Sequence, residues 1–300
     1  MTFTYLYTPM AETRRYIIPS ASFRDAAFDI SKTEKFCLVM QLGNENLTLA
    51  VLDNLTNDFL AFEQYVFRKA NNEQALAEQI DKLCSEHEWL TSGFKRVDVA
   101  IVTEKFTLVP AAFFDSTKIS DYLKFNQPFS EEDVILNDVL RNADARNVYA
   151  FDETLEKSIK KISPAARIRH HLSPLIERTL SVNKNKPARR ALAHVQNQRF
   201  DLIISEGGKL VLANSFSFQT GEDFIYYLLF TCEQLKMNPE ELELEIVGEI
   251  ETDSTLTNFA KKYIRNIKFG QRPIEARFAK EFEKFPAHFH HTLFSLHYFS

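Results

Sequence analysis

Two hydrophobic periods alternate along this chain, and they do so twice in the same order. Residues 36–42, Phe-Cys-Leu-Val-Met-Gln-Leu, form a nearly unbroken apolar run, the pattern of a strand covered on both faces. After Gly43-Asn44-Glu45-Asn46 a second strand, Leu47 to Leu52, follows at hairpin distance. Asp53 to Asn57 supplies another turn before an aromatic-rich third strand, Phe59 to Phe67. The period then lengthens to that of a helix: Leu76, Ile80, Leu83 and Cys84 share one face, and Asn71-Asn72 is placed to cap a helix beginning near Glu73. Val97 to Thr103 returns to strand, so the unit reads β-β-β-α-β.

Residues 191–250 repeat the order. Ala191 to Gln196 is a short strand, Asn197-Gln198-Arg199 a turn, Phe200 to Ser205 a strand, Gly207-Gly208 a hairpin turn, and Lys209 to Phe218 a strand. Thr220-Gly221-Glu222-Asp223 opens a helix, Phe224 to Leu235 fills it, Asn238-Pro239 closes it, and Leu242 to Val247 is the last strand. Matching elements differ by small changes in spacing, as loops of unequal length produce, and the pair suggests an internal duplication. Between the units, Asp121 to Ala145 and Asp152 to Ile162 read as helix or loop, and Ser163-Pro164, Ser173-Pro174 and Lys186-Pro187 as chain reversals. Leu256 to Ile264 is amphipathic, and Phe278, Phe282, Phe285 and Phe289 are spaced for one helical face, with Pro286 interrupting it.

A length of 300 residues, 45% of them hydrophobic, allows two packed domains. We expect an N-terminal extension over 1–32, a first domain over 33–178 and a second over 179–300 that includes the Phe-rich C-terminal segment. The 27 Phe against one Trp favour packing between layers over an aromatic platform. Core is the first reading of Phe59, Phe62, Phe67 and the terminal Phe tract, a partner surface the second.

Charge changes the picture locally. The chain carries 36 Lys plus Arg against 41 Asp plus Glu, a net −5, yet residues 141–200 hold 13 basic and 5 acidic side chains. Lys157, Lys160, Lys161, Arg167, Arg169, His170 and His171 form one cluster, and Lys184, Lys186, Arg189 and Arg190 another. Without a recognised nucleic-acid module or interleaved aromatics, a solvated helix face and a basic linker explain them, and no nucleic-acid partner is expected. Cys37, Cys84 and Cys232 are too few and too far apart for a disulfide framework or a zinc site. No secretory leader and no run of 18 apolar residues is found, so a cytoplasmic protein without membrane insertion is expected. His288, His290 and His291, with His297 nearby, match no common zinc spacing and read as a partly exposed aromatic segment. His170-His171 reads as one ring inward and one outward.

The doubled order resembles the actin-like ATPase superfamily, and within it pilus-assembly and cell-division members. More closely, the chain is similar to an uncharacterised bacterial family of actin-like ATPase-domain proteins, over roughly residues 33–270. The resemblance implies an α/β fold of duplicated actin-like (ribonuclease H-like) β-β-β-α-β domains with an interdomain cleft. It also implies where a nucleotide would bind, and there the chain departs from the pattern. The family's first Asp-x-Gly corresponds to Gln41-Leu42-Gly43, followed by Asn44: glycine is kept and the acid is an amide. A neutral side chain gives a hard divalent cation little support. The second Asp-x-Gly corresponds to His194-Val195-Gln196, followed by Asn197, and neither residue is kept. The adenosine-side glycine pair is reduced to Gly248 with Glu249 after it, and Gly221 matches a glycine at the helix opening. The residue that orients attacking water has no motif here; Glu153 and Glu177 lie in its region.

Gly43, Asn44, Asn197 and Gly248 are therefore the vestigial nucleotide positions. No catalytic residue, metal ligand or cofactor is expected. The expected role is non-catalytic binding or scaffolding with a protein partner. One alternative is an active actin-like ATPase using ATP and magnesium; a second is a nucleic-acid-associated protein using 157–190.

Overall fold

Three sheets organise the chain, in a computed structural model that describes residues 17–43, 45–67, 72–126 and 128–299, with Asn126 described in its backbone only. The first sheet is built from β1 (Ala21–Arg24), β2 (Phe36–Leu42), β3 (Asn46–Asp53) and β4 (Asp58–Val66), followed by α1 (Glu73–Glu86) and β5 (Arg96–Ile101). The Asn72 side chain accepts from the Ala75 amide at 2.7 Å and so caps α1 as its sequence predicts. A three-stranded antiparallel sheet follows, from β6 (Phe106–Pro110), α2 (Ile119–Asn126), β7 (Asp133–Leu140) and β8 (Ala145–Asp152). Then come α3 (Glu153–Ile162), β9 (Arg167–His170) and α4 (Leu172–Asn183). The second large sheet holds β10 (Arg190–Gln196), β11 (Arg199–Glu206), β12 (Lys209–Ser217), α5 (Gly221–Gln234), β13 (Glu243–Gly248), α6 (Thr255–Ala260) and β14 (Asn266–Phe269). The chain closes with β15 (Arg277–Phe278) and α7 (His291–Leu296).

The strand orders are β1-β4-β3-β2-β5-β9 and β12-β11-β10-β13-β14, so both β-β-β-α-β units form the same meander with a parallel fourth strand. On the first sheet, Leu38, Met40, Val97 and Val99 pack under α1 and α3, and Cys37, Val39, Ala50 and Phe62 form the opposite face. On the second, Ala193, Phe200, Leu202 and Ile204 pack under α5 and α6, while Leu192 and Ile203 face the other way. Strand alternation thus gives each sheet one face towards its own helices and one towards the other unit.

Two helices cross between those inner faces. The apolar side of α4, Leu172, Leu175, Ile176 and Leu180, lies with Leu192 and Ile203 against β11 and β12. Reciprocally, Leu293, Phe294 and Leu296 of α7 lie with Cys37, Val39 and Ala50 against β2 and β5, and α7 also packs on α4. Each unit therefore covers the other's inner face.

Four local expectations are corrected. Residues 133–140 and 145–152, within or beside the stretch read as helix or loop, are paired strands. Pro174 does not reverse the chain; it is the third residue of α4, where its missing N–H has no intrahelical partner to lose. The four Phe do not share one helix: Phe278 pairs with Phe59 in the β15–β4 ladder, Phe282 lies in a 3-10 turn, and α7 begins only at His291. The Phe tract expected in the second domain lies on the first sheet, where Phe282 is ringed by Phe23, Phe59, Phe62, Phe278 and Phe294. Among the described residues, no helix is long and apolar enough to cross a membrane.

Candidate functional site between the two sheets

The two hairpins singled out by sequence lie at corresponding ends of β2 and β10. The Gly43 amide donates to the Asn46 carbonyl at 2.9 Å, closing the first hairpin on itself. Asn44 lies outside the described residues. Alternation places Gln41 on the β2 face of Cys37 and Val39, the face covered by α7, paired with Thr48 and Ala100. In the second hairpin Asn197 and Gln198 make a two-residue turn; Asn197 is exposed and Gln198 takes the left-handed conformation, φ 49°. Gly248 has φ 105°, and a Cβ there would stand 2.0 Å from the Val195 carbonyl oxygen, so only glycine fits. Its amide donates to the His288 carbonyl at 2.8 Å. Glu249 beside it accepts from Gln64 of β4 at 3.4 Å and lies 3.3 Å from His290, tying the two sheets together. Burial would raise the Glu249 pKa, but the bonds from His290 and Gln64 outweigh that and hold it below the usual carboxylate range.

The short turn at 197–198 sets the β10–β11 register and puts His194 directly opposite Asp201. Both side chains point to the inner face, where His171 arrives from the start of α4. Asp201 Oδ2 lies 2.9 Å from His171 Nε2 and 3.0 Å from His194 Nδ1. Ser215 donates to Oδ1 at 2.5 Å, and Arg199 stands 3.6 Å away on the same side. Arg199 also reaches Glu104 at 3.3 Å, and His194 Nε2 meets Thr292 of α7 at 3.4 Å. His171, His194 and Asp201 are buried. Burial alone would raise the Asp201 pKa; the positive potential of His171 and Arg199 and the hydrogen bonds from both rings carry it well below the ordinary carboxylate value. Burial lowers the His171 pKa, against the pull of Asp201.

Two imidazole nitrogens and a carboxylate oxygen within 4.8 Å of one another form a donor set of the type that holds a divalent metal. Arg199 Nη2, 3.1 Å from His171 Nε2, competes for that nitrogen and brings positive charge to the place a cation would take. The arrangement works as a charge-assisted network joining α4, β10, β11 and β12, with both carboxylate oxygens of Asp201 engaged.

The remaining sequence candidates disperse. Lys157, Lys160 and Lys161 pair with Glu153, Glu156 and Asp81; Arg167 and Arg169 with Asp98 and Asp138; Arg189 and Arg190 with Glu206 and Glu243. These cations therefore do not form one open basic surface. His288, His290, His291 and His297 are buried, not partly exposed, and face separate partners: the Ile250 carbonyl, Glu249, a cavity beside α4, and Arg96 with Asp98. His170 and His171 are both buried, because the chain turns between β9 and α4 and sends His170 to Asn147 and the Thr103 carbonyl. Glu177 accepts from the Asn142 amide at 2.9 Å.

The model of the family described as "Protein of unknown function (DUF3822)" matches residues 25–267. The chain belongs to the DUF3822 family. This DUF3822 chain is similar to a Bacteroides thetaiotaomicron structure described as a protein with actin-like ATPase fold and unknown function. The two are 24% identical with a TM-score of 0.74, over 81% of this chain and 93% of that one. It is also similar to a structure of the PilM–PilN type IV pilus biogenesis complex, 12% identical with a TM-score of 0.50, over 84% and 92%. No curated protein matches it. The fold of this DUF3822 chain is thus actin-like. Asp201, Arg199 and Ser215 carried no motif, yet the hairpin register alone pairs Asp201 with His194.

Proposed function

We propose that this chain is a non-catalytic binding protein that keeps the actin-like architecture to engage a protein partner. The observation that carries the reading is that the groups at the nucleotide positions are engaged within the chain. Gly43 bonds Asn46, Gly248 bonds His288, His194 bonds Asp201, and Glu249 reaches across to Gln64. A magnesium ion with its phosphates calls for a carboxylate open to the cleft. Gln41 is neutral, and Asp201, paired with His194 beside the second hairpin, is buried with both carboxylate oxygens hydrogen-bonded within the chain. The likeness to PilM, which is in a complex with PilN, supports use of this fold to hold another protein. A steady-state Mg·ATP hydrolysis assay on the wild type and on Gln41→Asp tests this. Neither protein should turn over ATP above buffer, since the variant restores only one of two acids; sustained turnover by the wild type would overturn the reading.

A further inference from the structure

At the opposite end of the second sheet from its hairpin turn, a cavity of about 290 Å³ opens between α4, the starts of β10 and β13, and the loop after β14. Its apolar lining includes Val182, Leu192, Phe269 and Ile274. Ile274 is 91% exposed and Val182 52%, so apolar side chains face water at the rim. A second cavity of about 330 Å³ shares Arg178, Val182 and Glu275 with the first and runs on to Tyr298. Together they form one groove along α4.

Two independent features give this groove a ligand chemistry. Among the described residues, ten buried side-chain nitrogen or oxygen atoms have no hydrogen-bond partner, and five belong to residues lining this groove: Arg190 Nε, Arg272 Nε and His291 Nδ1 in the first cavity, Ser295 Oγ and Tyr298 Oη in the second. Polar atoms without partners are costly when buried, and half of these belong to residues around this one groove. The charges do not cancel. Arg178, Arg190 and Lys268 pair with Glu275, Glu243 and Glu245, whereas Arg272 has no carboxylate within ion-pair distance among the described residues. It donates to the Phe282 and Phe285 carbonyls and stands over the Phe278 ring at 5.3 Å, while the Glu283 carboxylate acts on it from beyond ion-pair distance. The first cavity is thus mostly apolar, and Arg272 is, among the described residues, its one lining cation without a close carboxylate.

We infer that this groove binds an extended, apolar peptide segment of a partner protein that carries one acidic residue facing Arg272. The inference rests on the reading of the chain as a protein-binding fold and names the surface that reading lacks. The apolar side chains of the segment would cover Ile274 and Val182, and its carboxylate would compensate Arg272.

Fluorescence anisotropy on the full chain tests this with a labelled Leu-Glu-Leu-Phe-Leu peptide, compared with the same peptide carrying glutamine for glutamate. Ile274→Glu and Val182→Glu change exposed positions and should leave the melting temperature unchanged. We expect the glutamate peptide to bind, the glutamine peptide to bind several-fold more weakly, and both variants to lose about tenfold in affinity. Absence of binding, equal binding of the two peptides, or unchanged binding by Ile274→Glu would overturn the assignment. A concentration-dependent dimer abolished by Ile274→Glu would place a second copy of the chain there and overturn it as well. ATP hydrolysis is measured separately, so failure of the peptide assay overturns the groove alone, and turnover of ATP overturns the functional reading without touching the peptide result.

Discussion

Mild acid should destabilise this protein through rings that the fold keeps neutral, and His291 is the one to isolate. It opens α7 buried beside the groove along α4, with Nδ1 unpartnered. Burial, and then the nearby charge of Arg178 and the ring of His194, push its pKa down to about 3. At neutral pH the ring is uncharged whether folded or unfolded, and nothing is lost. Below about pH 6.5 the unfolded chain takes up a proton that the folded one refuses, so stability falls with pH until the folded ring titrates, by about 1.4 kcal/mol per pH unit. At about pH 4.5 two units have been crossed, which makes roughly 2–3 kcal/mol from this ring. At about 2–4 °C per kcal/mol for a chain of this size, His291→Gln should lose roughly 4–12 °C less than the wild type on going from pH 7 to 4.5. Calorimetric melting of both proteins at four pH values across that range measures the difference. Parallel curves for wild type and variant would refute the reasoning, because they would mean the ring titrates alike in both states.

His297, lowered to about 4 by burial and by Arg96, should behave in the same way, so that the His291→Gln/His297→Gln protein has the flattest pH profile of the series. Asp201→Asn removes the anion from a fully buried network and should cost about 3–5 kcal/mol; a fall in melting temperature of less than about 2 °C would show the network to be dispensable. Gly248→Ala forces a Cβ against the Val195 carbonyl at a left-handed φ and should leave little soluble folded protein, whereas wild-type yield and stability would contradict the close approach. Phe282→Ala empties the ring cluster and should cost about 3–5 kcal/mol, with trypsin cutting faster at Lys280 and Lys284; an unaltered digestion pattern would count against it.

The doubled β-β-β-α-β order was legible because both units carry continuous buried strands and capped helices, and Gly207-Gly208, at φ 58° and 77°, makes the primed turn its sequence predicts. The small middle sheet was not. In β7 most side chains are only half-buried and Asp133, Asn137 and Asp138 interrupt the apolar positions, so the strand gains its identity from pairing with β8. The return of the C-terminal segment to β4 left no local mark either, since Phe59 and Phe278 meet only through tertiary packing. At the site, sequence located the two hairpins at the ends of β2 and β10. It did not disclose that the Gly248 amide is taken by His288, or that His171 completes the Asp201 network, because those partners arrive from distant elements.

Thermal melting with and without about 5 mM Mg·ATP tests the central claim most directly, since a ligand that binds only the folded state stabilises it by RT ln(1 + [L]/Kd). With the nucleotide positions engaged internally, the account predicts a shift below about 1 °C. Binding at a Kd of about 1 μM would instead add roughly 5 kcal/mol and raise the melting temperature by on the order of 10 °C, and that result would contradict the account.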